Sequence, residues 1–399
     1  MVRRVLAAVA VPAVLVVLPA PAAWAANVCQ SLPGKAAVFK GVPVEDQVYA
    51  PKRLAQFATG KGIRVAVIDS GVDAGHPQLS GRVAAGRDFL HGDPDGRQDC
   101  VGHGTAVASV IAARPVAETG FQGLAPDVTI VPVRISEQEE VEGKAVGDRG
   151  SPTRFAEAIT WAVDVGKVQV INLSLVMSDD DGKVSAAVRR AHDKGVVVVA
   201  AVGNHATDGN PTPFPADDEG VIGVGAIGSD GVRADFSQRG DYVDLVAFGK
   251  PVTVAARGSG HDNVQGTSFS TPFVSATAAL ILQRFGRLSP DEVLRRLQAT
   301  ADPAPGGARS DEYGAGVLNP YRALTETLGL AGHAPAAPVV VRAVDPVAEA
   351  RAARRAESHR AAVWFAAIGA GAVLLIGGAA IVVRQGRRRG WRPAAPGPR

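Results

Sequence analysis

An α/β fold, with a doubly wound and mostly parallel sheet and helices on both faces, is what this sequence predicts, together with a C-terminal transmembrane helix. Three observations carry this. The runs "IRVAVI", "VTIVPVRI", "VQVINLSL", "GVVVVAAV" and "VIGVGAI" are rich in valine and isoleucine without polar alternation, as strands buried on both faces are. Helical periods accompany them near His103 to Ala113, Thr153 to Val165, Ser185 to Lys194 and Ser268 to Phe285, an alternation that makes an α/β sheet. Finally, residues 361–383, "AAVWFAAIGAGAVLLIGGAAIVV", carry no charge and are long enough to cross a bilayer, with "RQGRRRGWR" directly after them.

Composition bounds the rest. With 399 residues and 46% hydrophobic content, the chain sustains one large folded domain plus appendages, which excludes disorder throughout. The net charge is only +3 and basic residues are spread along the chain, so a nucleic-acid binder is excluded as well.

In chain order, Arg3 and Arg4 precede the apolar run Val5 to Leu18, and small residues stand at Ala23 and Ala25. This is a secretory signal peptide over residues 1–25. Residues 26–60 form an N-terminal extension too short to fold alone, an arm held on the main domain at 61–329. Within that domain, "SEQEEVEGKAVGDRGS" at 136–151 reads as an exposed loop, "LSPDEVLRRLQATA" as an amphipathic helix, and 301–319 as loop-rich. An alanine-, proline- and arginine-rich stalk at 330–360 leads to the span at 361–383 and a basic tail at 384–399. The signal peptide sets the orientation: domain outside the cytoplasm, tail inside.

Only two cysteines occur, Cys29 and Cys100, both in the exported part. In an oxidising compartment a single pair is expected to form a disulfide, and closing so long a loop contributes roughly 4 kcal/mol in the chain-entropy account.

Candidate site residues gather where strands end and helices begin. In "VQGTSFSTPFVSATAALI", Gly266, Thr267 and Ser268 open a helix whose first turn is expected to accommodate Pro272. Ser268 there is either an N-cap or a nucleophile. "VAVIDSGVD" ends a buried strand with Asp69, and "VGHGTAVASVIAA" puts His103 at a helix start between Gly102 and Gly104. Taken singly, such an aspartate is a cap or turn residue and such a histidine is structural. "GDPDGRQD" at 92–99 is acidic but lacks the spacing of an EF-hand loop, so it reads as a solvated turn, and no metal-ligand spacing stands out.

Taken together, "VIDSGVD", "GHGTAVAS", "AAVGN" at 200–204 and "GTSFSTPFVSA" give the order Asp69, His103, Asn204, Ser268, and through them residues 60–325 resemble the subtilisin-like serine proteases. The resemblance implies a serine endopeptidase without a cofactor, acting on protein or peptide substrates. Ser268 would be the nucleophile, His103 its base and Asp69 the group that holds the imidazole, with the Asn204 amide and the Ser268 N–H as the oxyanion hole. Ser174, Leu175 and Val176 in "INLSLVMSDD" match the family's strand beside the primary specificity pocket, with Val176 where that strand carries glycine. A valine side chain there is expected to narrow the pocket and make cleavage slow and selective.

The layout of signal peptide, short arm, protease domain, stalk and one C-terminal span is similar to that of the mycosins, membrane-anchored proteases of type VII secretion systems. That resemblance implies a Cys29–Cys100 tether between arm and domain, partners in the secretion complex, and a dual role of limited cleavage and structural support. Two alternatives are a weakly active scaffold of the complex and a general degradative protease on the cell surface.

Overall fold

The computed structural model describes residues 36–92, 95–141, 144–307, 309–328, 381–388 and 390. The expected signal peptide and stalk, Cys29, and nearly all of the expected membrane span lie outside them. The chain divides into two compact units, the first ending at Leu328. In the second, residues 381–388 are helical, and among the described residues no helix is long and apolar enough to cross a membrane.

The first unit runs α1 (Val44–Tyr49), α2 (Pro51–Leu54), β1 (Arg64–Asp69), β2 (Arg87–Asp88), α3 (His103–Ala112), β3 (Thr129–Arg134), β4 (Glu139–Val141), β5 (Lys144–Val146) and α4 (Pro152–Asp164). It continues with β6 (Val170–Leu173), α5 (Gly182–Asp193), β7 (Val197–Ala201), β8 (Val221–Gly228), β9 (Leu245–Lys250), β10 (Val252–Ala255), β11 (His261–Val264), α6 (Thr267–Phe285), α7 (Pro290–Ala299) and α8 (Pro320–Thr325). Seven strands form one sheet in the order β2-β3-β1-β6-β7-β8-β9, every neighbouring pair parallel. The five valine-rich runs supply β1, β3, β6, β7 and β8.

Period-two alternation divides the strands between two cores. Val65, Val67, Val197 and Val199 face a core shared with α3 and α6, whereas Ala66, Ile68, Val198 and Ala200 face one shared with α4 and α5. Caps set the helix starts: Ser151 before α4, Asp181 before α5, and a Ser289–Glu292 capping box at α7. The Asp181 cap starts α5 three residues earlier than its apolar periodicity suggests.

One expectation needs correction, and the arm adds a feature that no sequence pattern announced. The loop at 136–151 contains the hairpin β4–β5, rooted where Ser136 bridges Arg149 and Gly150 N donates to Ile135 O at 2.8 Å. The extension holds two short helices, and α1 is inverted: Glu45 and Asp46 are buried while Val44 and Val48 are exposed. The reason is satisfaction of backbone donors. Glu45 Oε1 accepts from Thr253 N at 2.7 Å and Asp46 Oδ2 from Gln122 N at 2.9 Å, so two carboxyls pin the arm to the domain. Tyr49 packs against Phe248 and Phe273 beside them.

Candidate active site

Because β1 pairs with β3 on one side and β6 on the other, consecutive connections leave it in opposite directions, and a crevice opens at the carboxyl ends of β1 and β6. Asp69 is the last residue of β1 and is 1% exposed. The start of α3 lies against it because residue 104 is glycine: a Cβ there would meet Gly71 O at 2.0 Å. That close approach brings His103 Nδ1 to 2.7 Å from Asp69 Oδ1, with the imidazole side chain 28% exposed toward the cleft. Burial is the largest influence on His103 and disfavours its charged form. The Asp69 charge, its hydrogen bond and the more distant Asp99 charge together outweigh burial and hold the pKa above the ordinary imidazole value.

Asp99 corrects the reading of 92–99 as a solvated turn. Its carboxylate is buried and accepts from Ser70 Oγ, Val101 N, Gly102 N, Thr105 N and Thr105 Oγ1 at 2.6–3.1 Å. It thereby shapes the turn that delivers His103, and Ser70 Oγ in turn accepts from Gly104 N.

Ser268 is the second residue of α6, after Gly266 at φ 144, a backbone state that favours glycine. Asn204, just beyond β7, has its orientation fixed by Thr267: Asn204 Oδ1 accepts from Thr267 N at 2.9 Å and Thr267 Oγ1 at 3.0 Å. Its oxygen being so engaged, its Nδ2 is the atom left for an oxyanion, alongside the Ser268 N–H at the positive helix end. The Ser268 hydroxyl donates to Ser174 O at 3.1 Å.

Pro272 does not stand in the first turn, where it would break no bond; it is the sixth helical residue and withholds the N–H that Ser268 O would accept. Ser174 Oγ donates to that carbonyl instead, at 2.8 Å. Asn172 Nδ2 donates to Ser174 Oγ at 2.9 Å, and Ser275 Oγ to Asn172 Oδ1 at 2.8 Å. This buried chain was missed in the sequence, although Asn172 inside "VINL" and Ser275 inside "FVSATAAL" are polar residues in apolar runs that signal it.

Asp69, His103, Asn204 and Ser268 open into one cleft of about 180 Å³, which Ser174, Leu175 and Val176 also line. Beside it lies a second cavity of about 360 Å³ walled by Ile135, Phe155, Leu175 and Met177, with Asp179, Asp180 and Asp181 at its edge. Arg149 borders both, and its guanidinium donates to Val176 O at 2.9 Å. Among the described residues one trio, His91, Glu137 and Asp148, brings potential metal ligand atoms within 4.8 Å of one another. Arg134 already pairs with Glu137, supplying the cation that its carboxylate needs.

Such a set, a base held by a carboxylate and a hydroxyl beside two free donors, suits acyl transfer. The subtilase family matches residues 60–316. Mycosin-1 of Mycobacterium tuberculosis is 38% identical over 319 residues, covering 68% of this chain and 70% of the relative. Subtilisin E of Bacillus subtilis is 33% identical, covering 68% of each. The crystal structure of MycP1 with its N-terminal propeptide removed superimposes with a TM-score of 0.62 at 32% identity, over 72% of this chain and 99% of that one. MycP3, a protease from the type VII (ESX-3) secretion system, gives 0.61 at 29% identity, over 73% and 91%. The chain therefore belongs to the subtilase family of serine proteases, and within it to the mycosin type.

Proposed function

We propose that this subtilase is a membrane-anchored endopeptidase working outside the cytoplasm, using Asp69, His103 and Ser268 for limited processing in type VII secretion and supporting the secretion complex. The observation that carries the catalytic reading is the 2.7 Å contact of His103 with a buried Asp69 in the cleft that Ser268 enters. His103 takes the Ser268 proton as Oγ attacks the substrate carbonyl carbon. The oxyanion is held by Asn204 Nδ2 and the Ser268 N–H. His103 then gives the proton to the departing amine, and water, deprotonated by the same imidazole, hydrolyses the acyl-enzyme. Asp69 keeps the tautomer and stabilises the imidazolium.

Targeting by residues 1–25, anchoring by 361–383 and a Cys29–Cys100 tether belong to the same reading. Its support is the uncharged span, and the absence of a free cysteine among the described residues. The secretion role rests on similarity to mycosins.

The test is labelling of the full-length protein in detergent by a fluorophosphonate, beside Ser268→Ala. Labelling confined to the unsubstituted protein supports a competent triad. A folded protein that does not label favours the scaffold. In a deletion strain, secretion restored by Ser268→Ala assigns the secretion role to structure, and failure assigns it to catalysis.

A further inference from the structure

The strand segment after β6 offers a main-chain edge that is already occupied. The ladders of β6 end at Leu173, which pairs with Ile68 and Ala200, so Val176 lies beyond the sheet's own pairing. An extended peptide adds to such an edge through main-chain hydrogen bonds. Ser268 Oγ is 3.1 Å from Ser174 O, which sets the attacked substrate residue beside Ser174. Counting that residue as the first, the period of two brings the third residue on the amino side beside Val176. Its N–H needs the carbonyl on which the Arg149 guanidinium now sits at 2.9 Å.

Arg149 is well placed to hold that position. Its backbone is fixed at the hairpin root by the bridge to Ser136, and its only recorded hydrogen bond among the described residues is the one to Val176 O. The aspartates 179–181 border the neighbouring cavity yet make no ion pair with it. Their charge disfavours an acidic side chain entering that cavity.

Building on the catalytic reading above, we propose that Arg149 is a specificity-determining residue: it caps the Val176 carbonyl in the free protein and is drawn off by a carboxylate on the third substrate residue. An acidic residue exchanges the guanidinium's neutral acceptor for a charged one of matching fork geometry and frees the edge for pairing. A neutral residue displaces Arg149 with no such compensation.

The test uses full-length protein in detergent and pairs of peptides differing only in Glu or Gln at the third position. The Glu peptide is expected to be cleaved with kcat/KM about tenfold higher, the size of one charge-assisted contact, and this ratio to fall toward one in Arg149→Ala. Arg149→Ala should also cleave the Gln peptide faster than the unsubstituted protein does, and the ratio should shrink as salt is raised. A ratio of one in the unsubstituted protein, or one unchanged by Arg149→Ala, overturns the proposal while leaving Ser268 catalysis standing. Cleavage of neither peptide, with no Ser268-dependent labelling, overturns both.

Discussion

The Ser174 hydroxyl donates to the main-chain carbonyl of Ser268 at 2.8 Å, filling the place that Pro272 leaves vacant in the α6 hydrogen-bond ladder. A strand-end side chain thus fixes the helix turn that carries Ser268. Ser174→Ala leaves a buried carbonyl without a donor, a loss of about 1–3 kcal/mol. Pro272→Ala restores an N–H at the right place. Denaturant unfolding of both single variants and the double variant should therefore show Ser174→Ala to be less damaging when residue 272 is alanine, by on the order of 1 kcal/mol.

Asp69 raises the His103 pKa against a strong opposing effect of burial. In the proposed mechanism His103 serves as base only when neutral, so kcat/KM should fall as pH drops through a midpoint above the ordinary imidazole value of about 6.5. Asp69→Asn should lower kcat by roughly 10⁴ through loss of the tautomer that presents a free nitrogen to Ser268. Rates measured from pH 5 to 9 check both.

Val176 puts a branched side chain on the cleft wall. Val176→Gly should raise or broaden peptide cleavage, by about tenfold for side chains that valine excludes, equal to ~1.4 kcal/mol of transition-state binding. A peptide-library comparison with no change in rate or range would sink this reading.

Asp46 fastens the N-terminal arm, and burial pushes its pKa up to about 8, with Glu45 raised beside it by its own burial. The folded state therefore holds protons that the unfolded chain releases near pH 4. The Asp46 contribution is complete below that point and is lost as pH rises toward 8. Thermal midpoints should accordingly decline between pH 5 and 8 through this group. Asp46→Asn, which keeps an acceptor for Gln122 N, should flatten the decline.

The unalternated valine runs were sufficient to predict five parallel strands, because burial on both faces favours apolar residues on each. The order of Asp69, His103, Asn204 and Ser268 within glycine-flanked motifs was sufficient to name the candidate site. Local patterns did not reveal α1 and its buried acidic face, because the periodicity of residues 26–60 is weak and carboxyls ordinarily face solvent. The buried carboxyls there are satisfied by Thr253 and Gln122, far away in sequence. The hairpin at 139–146 was equally hidden, its charged composition reading as loop.

By itself, the sequence determined which chemical groups the chain owns and the strand and helix ends at which they stand, since hydrophobic period and glycine placement are local properties. Only tertiary structure decided their company: that Asp99 is buried under five donors, that Ser174 replaces the bond Pro272 omits, and that Arg149 covers the Val176 carbonyl. The last two join residues 94 and 27 positions apart, and Asp99 reaches back 29 positions to Ser70. Such pairings follow from strand order and crossover packing, which bring distant polar groups within reach and leave no water nearby to satisfy those that are buried.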